Sequence, residues 1–148
     1  VYYGLAQHVV ERTVENLKTK TSIGLASGSI VHHPEVQRSV AEMVIELEGI
    51  GPQLDRIAED WSTGVDHGGA WAVKIVGTKH RVVTAVWKIV DTALDLAGGF
   101  GIFAASGMER LFRDARLSRI HPANSALTHE IVGKLTLGVN PDAQPRWG

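Results

Sequence analysis

The side chains best suited to chemistry are concentrated near the carboxyl end of the sequence. Four arginines recur there at a spacing of three, namely Arg110, Arg113, Arg116 and Arg119. They are followed by a short polar segment that contains His121, Pro122, Asn124 and Ser125. Three kinds of chemistry are open to such a region: an anion-binding site, a set of salt bridges that hold helices together, and a catalytic corner.

The arginine row has two interpretations. Residues three apart on a helix drift slowly around one side, so four guanidinium groups in this pattern could form a phosphate-binding strip. Glu109 and Asp114 lie among the arginines, however. We therefore expect Arg113 and Asp114 to form separate ion pairs with neighbouring helices, and anion binding is the alternative.

The glycine-rich segment Gly98 to Gly101, with the sequence GGFG, also has two interpretations. A glycine pair at the end of a helix usually caps it, because glycine enters left-handed backbone conformations without a steric penalty. Glycine also lets a ligand such as a phosphate approach the backbone closely. A Rossmann dinucleotide site is rejected, because its G-x-G-x-x-G motif must follow a strand and this segment follows a predicted helix.

The sequence gives little support for a metal site or a catalytic nucleophile. His32 and His33 are adjacent and so do not share a helix face, and His121 and His129 have no carboxylate that completes a ligand set. The Gly-x-Ser-x-Gly motif is absent. The sequence has no cysteine, which excludes disulfides, thiolate metal sites and cysteine nucleophiles and is consistent with a reducing cytoplasm.

The composition is that of one globular domain. The chain has 148 residues, of which 44% are hydrophobic and 21% charged, values typical of soluble proteins. A formal net charge of -1 provides no overall field for nucleic acid or an anionic membrane. No apolar run approaches the roughly 20 residues that span a bilayer, so we expect neither nucleic-acid nor membrane partners.

Helical periodicity dominates the chain. We predict helices over about 3–18, 34–61, 70–97 and 106–116, and a last one that begins at 122 or 124 and ends near 137. The clearest stripe alternates steps of four and three through Val36, Val40, Met43, Leu47, Ile50, Leu54, Ile57 and Trp61. This repeat predicts knobs-into-holes packing, with a kink at Gly51 and Pro52. The fold class is therefore all-α, an up-down four-helix bundle with an additional short helix.

The tryptophans divide into two groups. Trp61, Trp71 and Trp87 lie within predicted helices, and we expect them in the core. Trp147 lies in a polar tail, and we expect it to anchor that tail to another subunit.

Four segments follow one another along the chain: TKTSIG, HHPEVQRSVAEM, ALDLAGGFG and ERLFRDARLSRI. In this order they resemble motifs of the C-terminal helical domain of the acyl-CoA dehydrogenase family. The resemblance covers essentially the whole chain. It implies that residues 1–148 are one domain of a longer flavoprotein, preceded by a helical N-terminal domain and a middle β domain.

The resemblance also implies a cofactor, partners and binding residues. FAD would lie between domains, with its ADP half reaching the bundle of a neighbouring subunit in a dimer or tetramer. Carried over by motif, the cofactor-binding residues would be Lys20, Ser22, His33, Asp95, Gly98, Gly99 and Asn124. The substrate would be an acyl-CoA thioester of fatty acid metabolism, and an electron-acceptor flavoprotein would be a further partner.

Three departures from the family pattern bear on function. Lys20 replaces an arginine and loses its bidentate fork, and Asp95 replaces a glutamine beside a diphosphate. Pro122 occupies the place of the glutamate that removes the substrate α-proton, so no catalytic residue is assigned. His121 would substitute only if it pointed into the site, and a glutamate on the first helix would fall before Val1.

These observations leave three hypotheses for function. The first is α,β-dehydrogenation of an acyl-CoA thioester by the longer protein. The second is a flavin-dependent monooxygenase of the same fold, because such relatives lack the corner glutamate. The third is a non-catalytic bundle that serves assembly or binding.

Overall fold

Helices make up most of the chain in the computed structural model, which describes residues 1–22, 24–26, 28–140 and 142. The five α-helices are α1 (Tyr2–Thr19), α2 (Pro34–Ser62), α3 (Ala70–Ala97), α4 (Met108–Leu117) and α5 (Ser125–Thr136). Short 3-10 helices lie at Ile30–His32, Gly98–Ile102 and Ala104–Ser106. The predicted all-α fold is confirmed, with α4 as the additional short helix. The prediction for Trp147 lies outside the described residues.

Local sequence explains where the helices begin. Pro34 occupies the first turn of α2, where a missing N–H costs nothing. The imidazole Nδ1 of His33 accepts a hydrogen bond from the backbone N–H of Glu35 at 3.2 Å and so caps the same helix. Asn124 caps α5 in the same way, because its Oδ1 accepts from the N–H of Leu127 at 3.0 Å.

The core is built around α3, which contacts each of the other four helices. Its residues Val86, Ile89 and Val90 are fully buried. They belong to one apolar cluster that includes Val9 of α1 and Ile50 of α2. Burial of this kind contributes about 25 cal/mol per Å² of apolar surface removed from water, so α3 carries much of the stability of the bundle.

The predicted stripe of α2 is buried only in its central part. Met43, Leu47 and Ile50 are buried, as predicted, whereas Trp61 is 67% exposed and the prediction of a core position for it was wrong. Trp61 lies in the last turn of α2, where its ring packs edge-on against Trp71 at 5.4 Å between centroids. Periodicity correctly marks the inner face, but neighbouring helices must extend far enough to cover that face.

The helix α2 continues through Gly51 and Pro52 without a break. Gly51 is buried, and a Cβ atom built on it would lie 2.8 Å from the hydroxyl oxygen of Tyr3. The missing side chain therefore allows α1 to pack closely against α2 at this point.

A buried carboxylate holds the end of α2. The Asp60 side chain is 4% exposed and pairs with Arg56 at 2.9 Å and with the Nε2 atom of His67 at 2.7 Å. The hydrogen bond from His67 is the largest cause that holds the pKa of Asp60 below its ordinary value. The charges of Arg56 and His67 act in the same direction, and burial opposes them. The His67 ring also packs edge-on against Trp71, so the ion pair joins α2 to the start of α3.

This arrangement predicts a pH dependence of stability. Since the folded pKa of Asp60 is depressed, its contribution is complete above the unfolded pKa of about 3.9 and is lost as the pH falls through the folded value. We expect Asp60→Asn to lower the melting temperature at pH 7 and to make its decline below about pH 4 shallower than in the parent. Thermal unfolding followed by circular dichroism measures this, with Asp55→Asn at an exposed position of α2 as the control. Parallel declines in Asp60→Asn and the parent would contradict the prediction.

Within the described residues, no helix is both long enough and apolar enough to cross a membrane.

Candidate functional site

The glycine pair after α3 lies at the surface. Gly98 ends the helix with φ of 70° and ψ of -163°, and its N–H donates to the carbonyl oxygens of Leu94 and Asp95. A Cβ atom built on Gly99 would meet no heavy atom within 4 Å. Gly98 therefore acts as a helix cap, while the backbone at Gly99 remains open to a ligand. The cap interpretation of GGFG is confirmed at Gly98, and ligand approach at Gly99 stays a prediction.

Lys20 lies beside Gly98 and places a positive charge at the end of α3. Its Nζ donates to the carbonyl oxygens of Leu96 at 3.0 Å and Ala97 at 3.2 Å. These carbonyls belong to the last turn of α3, where the helix dipole is negative and a cation is favourable. An ammonium has three donors, so a phosphate oxygen can use the third while the other two remain on α3. The positive charge of Lys20 thus offsets the partial negative charge at the carboxyl end of α3, which would otherwise repel an anion.

Three further predicted residues line one open cleft of about 580 Å³. Ser22 comes from the loop after α1, His33 from the start of α2, and Asp95 from the last turns of α3. Because Nδ1 of His33 accepts the N–H of Glu35, Nε2 is the nitrogen that carries the proton in its neutral ring. The structure therefore brings together residues that are as far apart in the chain as Ser22 and Asp95.

Acidic side chains dominate the charged lining of this cleft. Its lining includes the carboxylates of Glu35, Glu42 and Asp95 but a single guanidinium, that of Arg38. Arg38 is shared between Glu35 at 2.9 Å and Glu42 at 2.7 Å. Its pKa is raised, first by the hydrogen bond to Glu35 and then by the charges of both carboxylates. The cleft therefore carries more negative than positive side chains, and the ammonium group of Lys20 lies outside its lining.

Asn124 lies in a different place. It lines a small cleft of about 50 Å³ beside α3, together with Lys79 and His80. Lys79 and Asp95 are 16 residues apart on α3, which corresponds to about 24 Å along the helix axis. The predicted cofactor residues therefore form two groups, six at the carboxyl end of α3 and Asn124 at the corner before α5.

The corner before α5 is held by a residue that the sequence did not single out. The Nζ atom of Lys79 donates to the carbonyl oxygens of His121 at 2.7 Å and Ala123 at 2.5 Å, on either side of Pro122. Burial lowers the pKa of Lys79. Lys79 is more than 40 positions away from the corner, and a lone lysine within a helix carries no local signal of such a contact.

The arginine row is a structural feature, but its partners differ from the prediction. Arg113 pairs with Glu109 at 3.1 Å and Arg110 with Asp114 at 3.8 Å, so both pairs lie within α4. The prediction of pairs with neighbouring helices was wrong, because a spacing of four places these charges side by side on one helix. Two later arginines do reach another helix: Arg116 and Arg119 lie over the indole ring of Trp87 in α3, at 5.3 and 5.6 Å from its centroid.

The histidines are placed as follows. His80 of α3 and His129 of α5 pack edge-on with ring centroids 4.9 Å apart. His121 is exposed, and its Nδ1–H donates to the carbonyl oxygen of Pro122 at 2.8 Å. In the part of the chain that the structure describes, no three histidine, aspartate or glutamate side chains gather as ligands for a metal ion.

Comparison with known proteins identifies the family. The chain matches the family described as acyl-CoA dehydrogenase, C-terminal domain, over residues 1–135, and it belongs to that family. It is 28% identical over 140 residues to acyl-CoA dehydrogenase FadE12 from Mycobacterium tuberculosis. It is 26% identical over 136 residues to cyclohex-1-ene-1-carbonyl-CoA dehydrogenase from Geobacter metallireducens. The resemblance seen in the sequence motifs is confirmed.

The coverage of these relatives is unequal. The alignments cover 92% and 90% of this chain but 34% of each relative, so the chain spans about a third of the length of the curated relatives it matches. Among solved structures, XiaF from Streptomyces sp. in complex with FADH2 and glycerol superposes with a TM-score of 0.82. The two chains are 18% identical, and the superposition covers 99% of this chain and 38% of XiaF. The likeness establishes a shared fold.

Proposed function

We propose that residues 1–148 form the C-terminal domain of a longer flavoenzyme that oxidises an acyl-CoA thioester between its α and β carbons. The observation that carries the proposal is the open backbone of Gly99, directly after Gly98, whose Cβ position lies 3.8 Å from the ammonium group of Lys20, in a chain of the acyl-CoA dehydrogenase family. The two curated relatives are named as acyl-CoA dehydrogenases. XiaF, which shares the fold, holds a reduced flavin.

The two groups of residues suggest how FAD would be held. Lys20, Gly98 and Gly99 would bind the diphosphate, while Ser22, His33 and Asp95 would bind the nucleoside in the adjoining cleft. Asn124 would lie near a flavin ring, with its side-chain NH2 group available because its oxygen caps α5. When bound, the flavin supplies the acceptor for hydride.

A homo-oligomer, dimer or tetramer, accounts for the distance between these groups. With about 24 Å of α3 between them, one group would bind the flavin of its own subunit and the other the nucleotide held by a neighbouring subunit. The surface after the glycine pair supports this, since Phe100, Ile102 and Phe103 are each at least 60% exposed. Apolar side chains gathered in this way are typical of a contact surface.

The wider setting of the enzyme follows from the same proposal. We infer a cytoplasmic protein that acts in fatty acid metabolism and passes its electrons to an acceptor flavoprotein. The composition supports a protein without nucleic-acid or membrane partners, since its net charge is -1.

One observation favours a second function, a flavin-dependent monooxygenase. Pro122 stands in the place of the corner glutamate, and proline cannot accept a proton. A monooxygenase needs no base at this position to remove an α-proton from a thioester.

The two functions are separated by one experiment on the complete polypeptide that contains this chain. We expect acyl-CoA thioesters of some chain length to bleach the flavin absorbance in the absence of oxygen. If no thioester reduces the flavin, and the protein instead hydroxylates a substrate when supplied with oxygen and a flavin reductase, dehydrogenation is wrong.

A further inference from the structure

We propose that His80 is the catalytic residue that accepts the α-proton of the thioester at the corner between α3 and α5. The inference rests on the proposed function and deepens it, because it assigns the base that Pro122 cannot supply. It starts from the small cleft at that corner, which holds roughly 50 Å³ and has room for one small group such as a methylene.

The chemistry of the lining leaves one candidate for the base. The cleft is lined by Lys79, His80, Val83, Thr84, Ser118, Arg119, Ala123, Asn124 and Ser125. Lysine and arginine hold their protons at neutral pH, and hydroxyl and amide groups do not accept one. Among these described residues, His80 alone carries a group that can take up a proton near pH 7.

The other histidine of the corner is directed elsewhere. Nδ1–H of His121 is engaged with the carbonyl oxygen of the next residue, Pro122, and the ring is exposed. His121 does not appear among the described residues that line the cleft. His121 would replace the missing glutamate only if it pointed into the site. That condition is not met.

The surroundings of His80 keep its ring neutral. Burial is the largest cause that lowers the pKa of His80, followed by the charges of His129, Arg81 and Lys79. Arg81 and Lys79 flank it on α3, His129 packs against it from α5, and Arg119 faces the cleft from the end of α4. A neutral imidazole is the form that acts as a general base.

His129 is a positioning residue for this base. Its Nδ1–H donates to the carbonyl oxygen of Ser125 at 2.6 Å, which fixes the ring on α5. The two imidazole rings are then held nearly perpendicular, at 83°, with their centroids 4.9 Å apart. The carboxylate of Glu130, the next residue of α5, is paired with Lys134 at 2.8 Å.

The proton transfer balances within the proposed dehydrogenation. The bond between the α-carbon and its hydrogen breaks, its electron pair enters the new double bond, and the proton passes to the unprotonated ring nitrogen of His80. A bound flavin would accept the hydride from the β-carbon, so that the thioester would be oxidised and the flavin reduced. The cations Lys79 and Arg119 line the same cleft as His80, so they would stabilise negative charge that develops on the α-carbon in this step.

The test compares three variants of the complete polypeptide in flavin reduction by a thioester that bleaches the parent. His80→Gln is expected to slow the reaction by about 100-fold or more, the range for loss of a general base. His121→Gln is the matched control and is expected to react at the parent rate. In His129→Gln the pKa of His80 is expected to rise, so the acid limb of the kcat/KM profile should move to higher pH.

A second readout does not depend on turnover. With histidine labelled by 13C at Cε1, NMR of the parent protein reports each imidazole as a thioester that cannot be oxidised is added. We expect the signal and titration midpoint of His80 to move and those of His121 to stay, a result that also decides the matter if His80→Gln fails to fold.

The outcomes separate the two proposals. The assignment of His80 is wrong, while dehydrogenation stands, if the parent is bleached and His80→Gln reacts at a rate within threefold of the parent rate. The same conclusion follows if the NMR signal of His80 does not change when the thioester is added. If no thioester bleaches the parent, both proposals are overturned.

Discussion

Ile89→Ala is expected to lower the free energy of unfolding by about 2–5 kcal/mol, the range for large-to-small changes in a packed core. Ile89 is fully buried, and it lies on α3, the helix that every other helix contacts. The substitution removes three carbon atoms from the centre of the apolar cluster. Because the surrounding helices are held by their own contacts, the space collapses only in part and the cavity adds to the lost burial.

The same chain offers a matched control for this prediction. Ile75 is the same residue type on the same helix, but it is 43% exposed. Ile75→Ala deletes the same atoms where water already covers much of them, and alanine favours the helix by a few tenths of a kcal/mol. We expect a loss below about 1 kcal/mol. Urea unfolding followed by circular dichroism at 222 nm compares the two, and equal losses would show that α3 is not the centre of the core.

Gly98→Ala and Gly99→Ala are expected to differ, although the two glycines are adjacent. The backbone of Gly98, with φ of 70° and ψ of -163°, lies in a region that is essentially restricted to glycine. An alanine there is expected to lower stability by about 1–3 kcal/mol. Crowding is not the cause, since the nearest atom to its Cβ is Nζ of Lys20, at 3.8 Å.

Gly99→Ala is expected to leave stability within about 0.5 kcal/mol of the parent, because its Cβ would enter open space. In the complete polypeptide, the same methyl group would stand where the diphosphate approaches the backbone. The loss of one such hydrogen bond, about 1.4 kcal/mol, corresponds to a roughly tenfold weaker affinity for FAD.

Urea unfolding and FAD titration measure the two effects separately. Unfolding tests the cap at Gly98, and fluorescence titration of the apoprotein with FAD tests the ligand contact at Gly99. If Gly99→Ala binds FAD as tightly as the parent, the open backbone does not face the cofactor. The glycine pair would then be a helix cap and nothing more.

The helices were predictable because their signals are local. The limits of α3 were correct at both ends, since glycines flank it on each side at Gly69 and Gly98. The central residues of the α2 stripe were also correct, because a helical period states which face turns inward. The same period says nothing about how far the neighbouring helices extend, and Trp61 at the end of α2 is exposed for that reason.

The candidate site was predictable only in part. The family motifs predicted Lys20 and the glycine pair as cofactor-binding residues, which stays a prediction, and the structure places the Nζ atom of Lys20 3.8 Å from the Cβ position of Gly98. The acidic lining of the adjoining cleft was not foreseen, because Arg38 and Glu42 come from α2 while Asp95 comes from α3. Which of them face each other depends on how the two helices are rotated and staggered.

By itself, the amino-acid sequence determined the all-α fold, the approximate helix boundaries and the family, because periodicity, caps and motifs act over a few residues at a time. Only the tertiary structure decided the partners at the corner: Lys79 on the carbonyl oxygens around Pro122, and His80 against His129. These contacts join residues more than 40 positions apart. They exist because α5 packs back onto α3, and the direction of that packing is set by the apolar core rather than by any local pattern.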